Sequence, residues 1–205
     1  MIHHLKKAEY LTDLTQMQIE QIEAFSEAPY LELDDTHDLN HAKKTEKLSI
    51  YLAKHENGDV QICRLGALLH QYHPEGADKV ESFLKTVDVD QSLSSLIVHC
   101  VRCVELDTIH EAKTIEAKIV FDADKLQTLG PYGLIREVVY RTRNKDITFV
   151  EAFEEARALQ ELVRMNLQTN TAKKIYDNMH RLTQDMIENF NDWNELSFTM
   201  DIPDK

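Results

Sequence analysis

Helix start and stop signals divide nearly the whole chain into amphipathic segments, and this pattern constrains the fold most. The 205 residues include only five Gly and four Pro, too few for the turns of a sandwich or barrel. We therefore predict an all-α bundle of about eight helices. The predicted helices cover about 6–27, 37–56, 60–72, 77–87, 91–106, the stretch from a capping box at 108–111 to Gly130-Pro131, 147–167 and 171–196.

Apolar positions indicate which segments lie inside the bundle. The segment 62–69 is apolar on nearly every face and predicts a central buried helix. The last helix has apolar residues at spacings of three and four, which predicts a packed stripe: Ile175, Met179, Leu182, Met186, Phe190 and Trp193. Cys63 and the Cys100-Val-Arg-Cys103 pair are interpreted as packed thiols rather than as a disulfide, redox or zinc motif.

The acidic charge balance limits the classes of partner. The chain has 36 Asp and Glu against 23 Lys and Arg, a formal charge of −13, which disfavours nucleic-acid binding. No apolar stretch approaches the ~18 residues of a membrane span, and the first residues lack an apolar signal core. We expect a cytoplasmic protein with no membrane or nucleic-acid partner. The acidic surface and the Met-bearing last helix permit a homodimer but do not require one.

Three polar residues do not fit a plain bundle. His41 lies early in the second predicted helix, His70 ends the most apolar helix, and Asp124 is flanked by core positions. Imidazole and carboxylate groups bind Mn, Fe, Co or Zn, and these three would meet if their helices pack together. Spacing alone leaves open that they are ordinary hydrogen-bonded or exposed groups.

The order of these motifs resembles the HD-domain superfamily, in particular its small bacterial metal-dependent hydrolases. The matching segments are His37-Asp38-Leu-Asn-His41, Leu65-Gly-Ala-Leu-Leu-His70 and Ile119-Val-Phe-Asp-Ala-Asp124-Lys-Leu-Gln-Thr-Leu-Gly130. The stretches 110–118 and 171–190 extend the likeness. The resemblance covers about 20–195 and implies one HD-like domain within 1–205 whose ligands are His41, His70 and Asp124.

The resemblance implies a metal-dependent phosphohydrolase acting on a small phosphorylated metabolite or nucleotide. One divalent ion (Mn, Fe, Co, Zn or Mg) would be held by the three ligands, with Asp124 also counted as a catalytic residue. Gln71, in the place where the family has Asp, would be a weak fourth metal contact, because a neutral amide oxygen binds cations less well than a carboxylate. His73 is a less favoured substitute ligand.

Gln71 keeps other interpretations open. Gln127 also replaces a frequent family Asp. Together they are consistent with a catalytically impaired HD-fold protein that serves binding or regulation, with no metal at all. An HD-fold enzyme with lyase or oxygenase chemistry is a further alternative.

Further candidates would move protons or neutralise substrate charge. His99 is the candidate general acid or base, and Arg102 on the same helix is a candidate phosphate-binding residue. Lys44 and Lys125 replace Arg residues of the family pattern and are the other substrate-binding candidates. A hydrogen-bonded His99 and an Arg102 paired with surface carboxylates are equally compatible with the sequence.

Overall fold

The computed structural model describes residues 14–31, 33, 36, 38–73 and 75–196. Within these residues the chain forms nine α-helices and no strand, so the all-α prediction is confirmed. The helices are α1 (Gln16–Ser26), α2 (Leu39–Glu56), α3 (Val60–Leu69), α4 (Ala77–Thr86), α5 (Gln91–Arg102), α6 (Ile115–Lys125), α7 (Gly130–Asn144), α8 (Phe149–Asn166) and α9 (Asn170–Glu195). Short 3₁₀ helices occur at Ala28–Leu31, His70–Tyr72, Ile109–Glu111 and Leu126–Thr128.

Side-chain caps explain where most helices begin. Asp59 and Asp90, both predicted caps, accept hydrogen bonds from first-turn N–H groups of α3 and α5. The cap of α2 is Asp38, whose Oδ1 accepts from His41 N at 3.1 Å, and not Thr36 as the sequence indicated. The other two predicted caps of α2, at 34 and 35, lie outside the described residues, as does the first part of the predicted helix 6–27.

Two predicted boundaries are wrong. The segment 108–111 does not open α6; it forms a 3₁₀ turn, and Thr114 caps α6 instead. Gly130-Pro131 does not close α6, which already ends at Lys125; α7 begins at Gly130 and was missed. Pro131 occupies the first turn of α7, where its missing N–H costs no helical hydrogen bond and its fixed φ suits the helix.

Helix α3 forms the centre of the main core, as predicted, and packs against α2, α5 and α6. Six of its apolar side chains are buried, among them Leu65 and Leu69, which are fully enclosed. The three cysteines are free and buried, which confirms their interpretation as packed thiols. Because α2 and α6 also pack against each other, α2, α3 and α6 form a group of three mutually contacting helices.

A smaller core joins α7, α8 and α9. Phe153 of α8 stacks on Phe190 of α9 with ring centroids 3.5 Å apart. Met186 also packs against this cluster. The predicted apolar stripe on α9 is therefore packed only in part, because Leu182 and Trp193 are each 62% exposed. Among the described residues, no helix has the length and apolar character that crossing a membrane requires.

Gly66 allows α3 to pack closely against α5 and α6 in the main core. A Cβ at this position would lie 2.8 Å from Cys100 Cβ on α5 and 3.1 Å from Val120 Cγ2 on α6. We expect Gly66→Ala to lower the free energy of unfolding by about 1–2 kcal/mol, because overpacking outweighs the gain in helix propensity. Urea denaturation measures the change, and equal or greater stability of the variant would contradict this packing.

Candidate metal centre

Three buried side chains from three helices converge at the end of the main core. His41 comes from the first turn of α2, His70 follows the last residue of α3, and Asp124 lies near the end of α6. Each offers one ligand atom, and these atoms all lie within 4.8 Å of one another. The structure thus brings together the three residues that the sequence proposed as metal ligands.

The hydrogen bonds of His70 fix which ring nitrogen is available. Nδ1 lies 2.6 Å from the carbonyl oxygen of Ala67, which only accepts, so Nδ1 carries the proton. Nε2 therefore presents its lone pair to the site, 3.5 Å from Asp124 Oδ1. Burial lowers the pKa of His70 to about 4, so the ring is neutral at pH 7 and suited to metal binding.

The His41 ring faces the other two ligands through Nε2 and two further polar side chains through Nδ1. Nε2 is 3.0 Å from Asp124 Oδ1 and 3.3 Å from His70 Nε2. Nδ1 lies 3.2 Å from Gln127 Oε1 and 2.9 Å from Arg136 Nη1. The amide of Gln127 is oriented by Thr45, because Nε2 donates to Thr45 Oγ1 at 2.7 Å. A polar shell of this kind positions an imidazole that binds a metal.

Asp124 carries the negative charge of the site. Burial by itself would raise the pKa of its carboxyl, but the Lys125 ammonium and the neighbouring imidazoles hold that pKa well below its usual range. Oδ2 is 3.0 Å from Lys125 Nζ, and Oδ1 faces the two imidazoles. The ionised Oδ1 and the lone pair of His70 Nε2 therefore face each other across 3.5 Å, and a bound cation would satisfy both.

The donor set fits a divalent transition metal. Two neutral imidazole nitrogens and one carboxylate oxygen are a common catalytic set for zinc and suit Mn, Fe and Co as well. Mg is favoured less, because it prefers oxygen ligands. His41, His70 and Asp124 would hold the ion. Gln71 follows His70 in the 3₁₀ helix and is half-buried.

A small cavity of about 150 Å³ opens beside the ligands. Its lining includes His41, Asp124, Lys125, Thr128 and Arg136. A second cavity of about 410 Å³ shares the wall formed by Glu105 and Leu106 and is otherwise lined by His73, Glu75 and Asp107. The small polar cavity next to the ligands therefore adjoins a larger cavity with an acidic lining, and the two share Glu105 and Leu106.

Lys125 connects the ligands to this shared wall. Its Nζ is 3.0 Å from Asp124 Oδ2 and 3.0 Å from Glu105 Oε2. Glu105 Oε1 in turn lies 3.5 Å from His73 Nε2. His73 is thus placed in the second cavity and not with the three ligands, and Lys125 is shared between two carboxylates.

The other sequence candidates lie apart from the ligand cluster. His99 Nε2 accepts from Lys113 N at 3.0 Å, and the ring also contacts Cys103. Arg102 is 48% exposed and lies 2.9 Å from Asp78 Oδ1. Neither residue lines the small cavity, and their proposed roles in catalysis and substrate binding stay predictions.

Lys44 lies one turn beyond His41 on α2 and is exposed. Its Nζ donates to the hydroxyl of Tyr132 on α7 at 2.6 Å. It does not line the small cavity, and its role as a substrate-binding residue stays a prediction.

Asp122 takes a structural role two residues before the ligand. Its carboxylate accepts from Gln168 N at 2.9 Å and from both N and Oγ1 of Thr169 at 2.7 Å. These bonds tie the turn between α8 and α9 to α6. The structure therefore separates the two carboxylates of α6, with Asp124 facing the imidazoles and Asp122 facing the opposite turn.

Some groups around the ligands were missed by sequence reasoning. Arg136 and Glu105 were not considered, and Gln127 appeared only as a departure from the family pattern. Arg136 was missed because α7 itself was missed. A usable signal for α7 exists: Glu137 and Arg141 recur at helical spacing with the apolar Leu134 and Val138, which indicates a helix with charges on its inner side.

Comparisons with known proteins agree with this architecture. No family model matches the chain. The YpgQ protein of Bacillus subtilis is 22% identical over 178 residues, covering 80% of this chain and 87% of YpgQ. The crystal structure of YpgQ in complex with ADP matches with a TM-score of 0.69 at 20% identity, over 90% of this chain and 97% of that one.

Two further crystal structures are more similar in sequence. A protein of Listeria innocua has a TM-score of 0.68 and 27% identity, over 89% of this chain and 99% of that one. An HD-superfamily hydrolase of Bacillus thuringiensis has a TM-score of 0.67 and 25% identity, over 87% and 98%. The protein thus has the all-α HD-type fold found in HD-superfamily hydrolases, which confirms the predicted fold class.

The two carboxylates of α6 provide a matched test of the metal centre. We expect Asp124→Asn to reduce Mn²⁺ affinity by more than ~100-fold, because it removes the only anionic ligand. Asp122→Asn should retain Mn²⁺ but lose about 1–3 kcal/mol of stability, because an amide NH₂ would face a donor. Saturating Mn²⁺ should raise the Tm of wild type and Asp122→Asn by roughly 5–10 °C, and leave Asp124→Asn unchanged. Equal shifts in both variants would contradict the assignment.

Proposed function

We propose that the protein is a metal-dependent phosphohydrolase that acts on a small phosphorylated metabolite or a nucleotide. The observation that carries this proposal is the convergence of His41, His70 and Asp124 within 4.8 Å. The adjacent cavity has the cations Lys125 and Arg136 in its lining, together with the carboxylates Glu105 and Glu137. The HD-type fold adds support, since it is shared with an HD-superfamily hydrolase.

The ligands would hold one divalent ion, with Mn, Fe, Co or Zn better matched to the donors than Mg. Such an ion supplies Lewis-acid chemistry that polarises a phosphoryl oxygen and activates a water molecule. Gln71 would contribute at most a neutral oxygen. A second ion beside the first would lack the carboxylate needed to neutralise it.

The residues around the ligands would orient the substrate. The lining of the small cavity contains the cations Lys125 and Arg136, which suit an anionic phosphoryl group. Its volume of about 150 Å³ matches a compact group and not a whole nucleotide. The adjoining cavity would take the rest of the substrate, where Glu105 and Asp107 can accept hydrogen bonds from sugar hydroxyls.

Similarity to YpgQ makes nucleotides a natural first choice among substrates, since YpgQ was crystallised in complex with ADP. Sugar phosphates and other phosphorylated metabolites share the same recognition chemistry at the phosphate. The substrate panel should therefore span both groups.

Reconstituted activity tests the proposal directly. We expect purified protein loaded with Mn²⁺, Co²⁺, Fe²⁺ or Zn²⁺ to hydrolyse members of a panel of nucleotides and sugar phosphates. Chelation with EDTA and the substitution His70→Ala should each reduce turnover by more than ~100-fold, because one removes the ion and the other a ligand. Phosphate release measures the rates. Failure of every metal and phosphoester combination would exclude the hydrolase.

Gln71 supports a second candidate, an HD-fold protein that binds a ligand or partner without hydrolysis. Its neutral side chain stands immediately after His70, where the family resemblance implies a carboxylate. The substitution Gln71→Asp restores that charge, and Gln71→Asn is a control of the same length without it.

The two candidates predict different outcomes for this pair. For an active hydrolase, wild type turns over substrate, and Gln71→Asp raises metal affinity by about tenfold, because a carboxylate binds cations more strongly. For a binding protein, wild type is inactive, and activity appears in Gln71→Asp but not in Gln71→Asn. Metal titration and phosphate release distinguish the two results.

A further inference from the structure

We propose that Arg136 of α7 binds an oxygen of the substrate's phosphate group next to the metal ligands. This inference rests on the proposed function and deepens it by naming the residue that recognises the anion. Neither the motifs in the sequence nor the predicted substrate-binding residues included Arg136.

The guanidinium is buried but incompletely satisfied. The side chain of Arg136 is 8% exposed, and among the described residues its Nε has no hydrogen-bond partner. Three of its remaining contacts are long: Nη1 to Thr36 O at 3.5 Å, Nη2 to Thr128 Oγ1 at 3.5 Å and Nη2 to Glu137 Oε1 at 3.4 Å. A buried cation with weak contacts is costly unless an anion completes its environment.

The charges around Arg136 leave room for an anion. Its neighbouring carboxylate, Glu137, lies 3.4 Å from Arg136 and also 3.6 Å from Arg141, which pairs in addition with Glu155. On the other side, Gln127 is neutral, and its Oε1 lies 3.2 Å from the same His41 nitrogen that accepts from Arg136. Lys125, the other cation of the cavity, is already paired with Asp124 and Glu105. Arg136 is therefore the less neutralised of the two cations.

Metal binding would release the short contact of Arg136. With Nη1 donating to His41 Nδ1 at 2.9 Å, the ring carries its proton on Nε2, which donates to Asp124. A metal bound to Nε2 requires the other tautomer, in which Nδ1 is protonated. Gln127 Oε1, at 3.2 Å, is placed to accept that proton's hydrogen bond. Arg136 then loses its acceptor, and its guanidinium becomes available to an oxygen anion in the cavity.

The geometry of a guanidinium suits this task. Two parallel N–H groups match two oxygens of a phosphate, which a lysine ammonium cannot do. The cavity that Arg136 lines also contains the ligands His41 and Asp124. A phosphate held there would lie beside both the ligand side chains and the arginine.

The test is the affinity of the Mn²⁺-loaded protein for inorganic phosphate, measured by isothermal titration calorimetry. We expect Arg136→Gln to weaken phosphate binding by about 10- to 100-fold, because it removes charge-assisted hydrogen bonds. Arg136→Lys, which keeps the charge but not the fork, should fall between this variant and wild type. Mn²⁺ content, measured on the same samples, should stay at one ion per chain in both variants.

The matched control is Arg157→Gln on α8, where the arginine is 50% exposed and paired with Glu154. It should bind phosphate as wild type does. Unchanged phosphate affinity in Arg136→Gln would overturn the proposal. So would loss of Mn²⁺ from Arg136→Gln, because Arg136 would then support the ligands and not the anion. If phosphate binds through Arg136 but no phosphoester is hydrolysed, the hydrolase proposal fails and the anion site remains.

Discussion

The ionised carboxylate of Asp124, buried where α2, α3 and α6 meet, is the interaction on which the rest of the site depends. A buried negative charge must be paired or bound by a cation, and its surroundings follow from this requirement. Lys125 pairs with one oxygen, and the imidazoles of His41 and His70 face the other. The same contacts that make this charge tolerable inside the bundle assemble a set of metal ligands.

The fold supplies this arrangement by bringing helix ends together. His41 lies in the first turn of α2, His70 directly follows α3 and Asp124 lies in the last turn of α6, so each ligand is near a helix terminus. Close packing around Gly66, one turn before His70, sets the distance of α3 from α5 and α6. Helix α7 contributes Arg136 and Glu137 to the lining of the small cavity.

Many of the helix boundaries and the buried position of α3 were predictable from local sequence patterns. Asp59 and Asp90 indicated where α3 and α5 begin, because capping depends on a few neighbouring residues. The continuous apolar segment of α3 correctly predicted that this helix is buried. The ligand trio was found from motif order. The errors occurred where one signal serves two purposes: Pro131 can follow one helix or begin the next, and the sequence was interpreted only in the first way. Missing α7 meant missing Arg136.

The amino-acid sequence by itself determined most of the helices and the buried centre, because caps and periodicity act over short distances along the chain. The order of its motifs indicated the three candidate ligands through their resemblance to the HD-domain superfamily. Only the tertiary structure decided which polar groups share a space. Gln127 and Arg136 meet at one nitrogen of His41, although they lie 86 and 95 positions away in sequence. Asp122 and Asp124 are two residues apart yet serve opposite sides of α6. These outcomes depend on how helices pack, and no local pattern encodes that packing.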